Sequence, residues 1–255
     1  MNPWLVWSEA VRLPTYPLGL MIGLALGVFV VRRGAVQRGL EPAPVLDVAA
    51  VGLVAGLVGA RLGHLVFEEP RLFTDPSVLL AWDGGLVFYT GFALAAALGL
   101  TFGRRRGLDP AVIADLFAPA TALGLVWGRL GCLGSGCCHG RPASWPLGVD
   151  VPWAITYTWR GQLADASLAV PLHPTPIYEA FLGLGLFLGL SCLRDGRPGR
   201  SMAWFVLVYG LGRSAIEVFR GDTARGLWFG GWLSTSQIVG LGSAAIAAAW
   251  LARRR

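Results

Sequence analysis

Charge is scarce in this sequence. Asp, Glu, Lys and Arg together make up 14% of its 255 residues, against about 25% in an ordinary soluble domain. With 55% hydrophobic residues and a mean hydropathy of +0.59, that scarcity argues against a cytosolic enzyme. It also excludes a disordered chain, because ample apolar surface is available to bury. Lysine is absent: all 21 basic residues are arginine, set against 15 acidic ones for a net charge of +6. Such a balance can signal nucleic acid. Here the arginines stand in short clusters between apolar runs, the positive-inside arrangement of membrane proteins, so no nucleic-acid partner is expected. A guanidinium grips phosphate through a planar fork, so some of the arginines could serve an anionic lipid. Cysteine is scarce as well: four residues are too few for a disulfide scaffold. Sustained strand-like alternation is missing from the apolar runs, which argues against a β-barrel.

What is present is a set of apolar runs. Seven of them, near 14–31, 45–67, 84–102, 111–127, 177–193, 201–219 and 233–251, approach the twenty or so residues that one crossing needs. The expected fold is an all-α polytopic membrane protein, a single seven-helix domain over 1–255 with a small extracytoplasmic cap at 130–176. Arginine placement tests that topology. Twelve arginines lie on alternate connections: 32, 33 and 38; 104, 105 and 106; 194, 197 and 200; 253, 254 and 255. The longer intervening segments hold seven, and Arg61 and Arg213 fall inside spans. This asymmetry places the N-terminus outside and the C-terminus in the cytoplasm. The first run has no positive start, and Arg32-Arg33 follows it where a cleavage site would need small residues, so it reads as a retained helix. Glycines four apart, among them Gly19/Gly23/Gly27 and Gly185/Gly189, suit close helix packing in lipid.

Charged residues at membrane depth are costly and are functional candidates by default. Asp47, Arg61, Asp115, Glu179, Arg213 and Glu217 qualify. Asp47 and Asp115 stand near predicted cytoplasmic ends, where satisfying a neighbouring helix accounts for them. Arg213, Glu217 and Arg220 share one helix face, as a self-satisfied ladder or as a phosphate clamp held by the glutamate. Between Gly128 and Gly140, five further residues of chemical interest stand among glycines: Arg129, Cys132, Cys137, Cys138 and His139, with Arg141 just beyond. Glycines free a backbone to approach a ligand, and N–H groups with a guanidinium form an anion site. Zinc accepts three thiolates and an imidazole, but adjacent cysteines rarely face one ion. Packing, a disulfide from Cys132 to Cys137 or Cys138, and substrate-site thiols rank ahead of a metal.

Several stretches in order carry a resemblance. They are Gly59-Ala60-Arg61-Leu62-Gly63, the segment from Trp82 to Tyr89, Asp115 to Pro119, Gly128-Arg129-Leu130-Gly131, His173 to Glu179, Tyr209 to Arg213 with Glu217 to Arg220, and Ser236-Gln237. Together they resemble the phosphatidylglycerol–prolipoprotein diacylglyceryl transferase family of bacterial inner membranes. The resemblance implies seven spans, a periplasmic head, and transfer of a diacylglyceryl group from phosphatidylglycerol to the lipobox cysteine thiol of a preprotein. The products are a thioether and glycerol phosphate; no metal or cofactor is implied. The family's essential arginines fall on Arg129 and Arg213, with Glu217 and Arg220 at further motif positions. Substrate contacts are expected from Tyr16, Arg61, Gly131, Cys132, Cys137, Gly140, Tyr178 and Glu179 as well.

The departures from the family pattern concern acid–base chemistry. Where the family usually has a histidine, this chain has Tyr89. Where its signature usually reads Asn, Asn and Glu, this chain has Cys132, Ser135 and Cys137. A phenol is a poor base at neutral pH, so the expected deprotonating group is His139 or an arginine-activated Tyr89. The alternative is a diverged member that binds lipid, metal or thiols through Cys132, Cys137, Cys138 and His139 without transferring anything.

Overall fold

The computed structural model describes residues 4–8, 11–67, 87–142, 155–156, 171–193, 197–221, 226–229 and 232–254. Among them are seven helices: α1 (Thr15–Gln37), α2 (Pro42–Phe67), α3 (Phe88–Arg105), α4 (Pro110–Ser135), α5 (Thr175–Cys192), α6 (Arg200–Glu217) and α7 (Thr235–Arg253). Three two-stranded antiparallel ribbons join β1 (Trp4–Ser8) to β2 (Val11–Pro14), β3 (Ile155–Thr156) to β4 (Pro171–Leu172), and β5 (Leu227–Trp228) to β6 (Leu233–Ser234). Pro42 and Pro110 open their helices, where the missing N–H has no partner to lose. Left-handed glycines at 39 and 107 turn the chain after α1 and α3, a conformation glycine adopts without steric cost. A reciprocal capping box between Ser234 and Gln237 starts α7.

Five helices, α1, α2, α4, α5 and α7, are long and apolar enough to cross a membrane. The all-helical polytopic class therefore stands, while the expected count of seven spans is only partly matched. Length does not set α3 and α6 apart: 18 residues extend roughly 27 Å at 1.5 Å per residue. Polarity does. Helix α6 carries Arg200, Arg213 and Glu217, and α3 ends in Arg104-Arg105. Helix α4 continues to Ser135, eight residues past the expected end of its span at 127. The expected cap at 130–176 thus begins with helix, and its residues 143–154 and 157–170 lie outside the described set.

The chain forms two compact units. One comprises Met1–Phe29 and Phe117–Arg255; the other comprises Val30–Leu116. In the first, Ala118 and Ala122 of α4 pack with Leu186 and Leu190 of α5 and Phe205 of α6. Helix α1 crosses α4 so closely that a Cβ on Gly19 would stand 2.6 Å from the Trp127 carbonyl oxygen. Gly23 meets Gly124 one turn on, and Thr15 shares a 3.1 Å hydrogen bond with Ser135. These contacts spend the α1 glycines on intramolecular packing. Gly185 and Gly189 on α5 face open space instead, and they line an apolar groove with Phe181, Trp204 and Val208.

In the second unit α2 and α3 pack through Gly59, Gly63 and Gly91; a Cβ on Gly91 would stand 2.7 Å from the Gly56 carbonyl oxygen. Two of its carboxylates stand near arginines of the basic connections. Arg38 lies 3.8 Å from Asp115, and Arg106 lies 3.6 Å from Asp47. Satisfying a neighbouring element is therefore the role these two aspartates have.

Candidate active site

A buried carboxylate organises the candidate site in the first unit. Glu179, near the start of α5, is 1% exposed. Arg129 of α4 reaches its Oε2 at 2.8 Å, while Arg213 of α6 and Arg220 just beyond α6 stand 3.6 and 3.7 Å from its Oε1. Arg213 also donates to Glu217, one turn further along α6, and its Nη2 lies 3.5 Å from the Ser236 hydroxyl at the start of α7. Tyr209 of α6 lies within electrostatic reach of Arg129 and Glu179. Four helices thus place their polar residues at one point.

The local fold explains why these groups meet. Arg213 and Glu217 are i,i+4 neighbours and so share a face. Arg220 follows the helix end, where its backbone bridges to Gly140. Gly140 is wedged between two segments: its N–H donates to the His173 carbonyl, the Arg141 N–H donates to the Phe219 carbonyl, and the His173 N–H donates to the Arg141 carbonyl. A Cβ on Gly140 would stand 2.5 Å from the His173 Cβ, so these contacts require its missing side chain. The Thr175 hydroxyl donates to the Cys138 carbonyl at 2.6 Å. Residues 138–141, the start of α5 and the end of α6 are therefore one hydrogen-bonded corner.

Electrostatics at this corner favour an anion. Three guanidiniums face two carboxylates, which leaves one positive charge over among these five side chains. Together the three guanidiniums bring about fifteen N–H donors, against about eight acceptor sites on two carboxylates. The Arg129 contact with Glu179 Oε2, though 2.8 Å long, is not aligned as a hydrogen bond. Burying such a cluster is expensive unless the groups pair well. A phosphate ester, with several acceptor oxygens and a negative charge, matches what these arginines offer.

A second cluster adjoins the first. The Sγ atoms of Cys132, Cys137 and Cys138 lie within 4.8 Å of one another, and all four cysteines of the chain are free thiols. Cys132 occupies the last turns of α4; Gly136 and Cys138, at φ 74° and 58°, then reverse the chain. A left-handed conformation costs a non-glycine residue about 1–2 kcal/mol, and here it turns Cys138 towards its neighbours. The Cys138 thiol is held well below the ordinary thiol range. The neighbouring Cys132 and Cys137 thiols act most strongly, and Arg129 and Arg220 add to them against the opposing effect of burial.

The structure brings together most of the expected site residues. Arg129, Arg213, Glu179, Glu217 and Arg220 form the hub, and Cys132 and Cys137 join the thiol cluster. Tyr16 opens α1 within electrostatic reach of Arg129 and the cysteines, and Gly131 packs on the Tyr16 backbone. His139 directs Nδ1 at the Gly140 carbonyl, 3.2 Å away. Tyr178 shares a 3.1 Å hydrogen bond with His173 Nδ1. Arg61 and Tyr89 belong to the other unit: Arg61 is half-buried on α2, and Tyr89 is exposed in the first turn of α3, edge-on to Phe88 at 5.8 Å. The motif residues 82–86 lie outside the described set.

Two contributors lie inside the His173 to Glu179 stretch without having been singled out as site residues. His173 meets Tyr178 edge-on and Phe219 at a tilt. Burial, then the Arg141 charge, lowers its pKa, so it is a neutral hinge for the corner. Thr175 pins the Cys138 backbone. Both stand inside His173-Pro174-Thr175-Pro176, whose rigid prolines were the available signal.

Residues 3–253 match the sequence profile described as prolipoprotein diacylglyceryl transferase. The chain belongs to this family. It is 35% identical to the phosphatidylglycerol–prolipoprotein diacylglyceryl transferase of Geobacter sulfurreducens over 82% of its own length and 78% of that protein's. Its identity to the protein of the same name from Methylococcus capsulatus is 32%, over 94% and 90% of the two lengths. For the Clostridium tetani protein the identity is 28%, over 92% of each. As a family member with several apolar helices, the chain is a multi-pass membrane protein.

Proposed function

We propose that this chain transfers a diacylglyceryl group from phosphatidylglycerol to the thiol of a lipobox cysteine in secreted preproteins. The observation that carries the reading is the convergence of Arg129, Arg213 and Arg220 on buried Glu179, with guanidinium donors in excess. In the reaction the acceptor sulfur attacks the glycerol carbon, the carbon–oxygen bond breaks, and its electron pair leaves on the phosphate ester. Glycerol phosphate is released and a thioether is formed. Arg129 and Arg213 offset the charge that develops on the departing oxygen, an effect strengthened in a site that excludes water. Glu179 and Glu217 hold the guanidiniums in place, and Arg220 extends the clamp. Family membership and the apolar groove along α5 and α6 support a lipid donor.

All seven helices cross the bacterial cytoplasmic membrane in this reading, with the N-terminus outside and the site on the outer side. The charged residues that set α3 and α6 apart from the other five helices do not bar a crossing, because α3 carries its arginines at one end and Arg213 and Glu217 of α6 pair with each other. Tyr16, Tyr178, Gly131 and Gly140 contribute substrate contacts beside the hub, Arg61 is a further substrate-binding residue, and His139 or Tyr89 assists removal of the thiol proton. The second reading, a family member that binds without transferring, draws on the thiol cluster that stands where the family pattern is polar.

Complementation of a strain depleted of its own transferase tests the choice. Rescue by the parent, and by neither Arg129→Ala nor Arg213→Ala at matched membrane levels, is expected. Failure of the well-expressed parent would favour the binding reading.

A further inference from the structure

The reaction needs a thiolate, and the usual base position holds Tyr89. The three converging thiols supply another way to make one. From their geometry we infer that Cys132, Cys137 and Cys138 form a three-thiolate site for a zinc ion, whose open fourth position takes the acceptor thiol.

The placement meets the demands of such a site. In a tetrahedral zinc–thiolate centre with bonds of about 2.3 Å, sulfurs stand roughly 3.8 Å apart. Here the three sulfurs already lie within 4.8 Å of one another, so small rotations about the Cys side-chain bonds suffice. Neighbouring cysteines ordinarily point apart. The left-handed backbone at Cys138 after the turn at Gly136 removes that objection, and the Thr175 hydrogen bond to the Cys138 carbonyl fixes it. Cys132 is held on α4, whose end is tied to α1 by Thr15 and Ser135. Ligand sulfurs are thus presented by an element anchored on two sides. Soft thiolates select zinc over calcium or magnesium. Three protein ligands are the number that catalytic zinc sites use, leaving one position for substrate.

The chemistry balances without a redox partner. The acceptor thiol binds zinc and releases its proton to water, because a coordinating thiol is deprotonated outright. Its sulfur lone pair forms the carbon–sulfur bond as the carbon–oxygen pair leaves on the phosphate. The thioether product, a weaker ligand, then departs, and the ion keeps its charge state throughout. Arg129 and Arg220, which interact with Cys138, place the phosphate clamp beside the nucleophile. The identity of the acceptor rests on the transferase reading; the metal site does not.

The test uses the full chain purified in detergent under reducing conditions. Elemental analysis should give about one zinc per chain, removable by chelator. Cys132→Ser, Cys137→Ser and Cys138→Ser should each lose it, whereas Cys192→Ser, at the far end of α5, should retain it. Cobalt(II) added to stripped protein should give the intense visible bands of a tetrahedral thiolate site. Those bands should shift on addition of a lipobox peptide but not of the same peptide with serine for cysteine. Reduced, monodisperse wild-type protein that binds neither ion would overturn the proposal, as would a disulfide among the three thiols in protein isolated without reductant. Metal loss equal in Cys192→Ser would also overturn it. A cobalt spectrum blind to the peptide thiol would overturn the acceptor role. Because these readouts do not require turnover, failed complementation with zinc bound counts against the transferase reading alone.

Discussion

Arginine meets carboxylate in both units of this protein, with different arithmetic. In the second unit Arg38 stands by Asp115 and Arg106 by Asp47, with no carboxylate among the described residues seen to gather three arginines. The latter pair is half exposed on both sides and lies next to a basic connection. In the first unit three arginines share Glu179, and both acidic residues are almost wholly buried, at 1% and 2% exposure. Matched pairs close their own electrostatic account and belong to the scaffold. A buried cluster in which several cations share one carboxylate is costly to keep and marks a candidate functional site. Charge stoichiometry, more than the presence of charge, separates the site from the frame.

The comparison breaks most severely if Glu179 is removed. Glu179→Leu should destabilise the chain by about 3–5 kcal/mol, because buried guanidiniums lose their shared counter-ion; thermal unfolding in detergent reads this directly. An unchanged midpoint would mean that the arginines need no common partner. Next comes Arg213→Lys, which keeps the charge but loses the planar fork. It should lower diacylglyceryl transfer by about 10²–10³-fold, at unchanged membrane levels, in a gel-shift assay with a lipobox peptide.

Smaller effects sharpen the same contrast. Gly19→Leu drives a side chain into the Trp127 carbonyl and should cost about 1–3 kcal/mol, visible as a lowered melting temperature, whereas Gly185→Ala faces open groove and should change it little. Asp47→Asn should be the mildest, within about 1 kcal/mol, with transfer unaffected. A strong loss of transfer in Asp47→Asn would erase the distinction between frame and site.

Much of this was legible in one dimension. Apolar runs locate all seven helices, since length and hydropathy are local properties. Arg213 and Glu217 declare their pairing by i,i+4 spacing. The extension of α4 to Ser135 was not legible. Gly128, Gly131 and Gly134 have poor helix propensity, but Gly131 packing on Tyr16 and the Thr15–Ser135 hydrogen bond override it. The hub role of Glu179 was hidden for another reason. It draws on α4, α5 and α6, and no sequence spacing announces a meeting of residues 129, 179, 213 and 220. The left-handed backbone at Cys138 was likewise invisible, because only the surrounding corner imposes it on a non-glycine residue.

The most direct measurement is lipid retention by the purified chain in mixed micelles of phosphatidylglycerol and zwitterionic phosphatidylethanolamine, read by native mass spectrometry. Phosphatidylglycerol should be enriched on the wild-type protein, and the enrichment should vanish in folded Arg129→Gln and Arg213→Gln variants. Equal retention of both lipids by the wild type, or enrichment undiminished in both variants, would contradict a headgroup clamp built on Glu179 and its arginines.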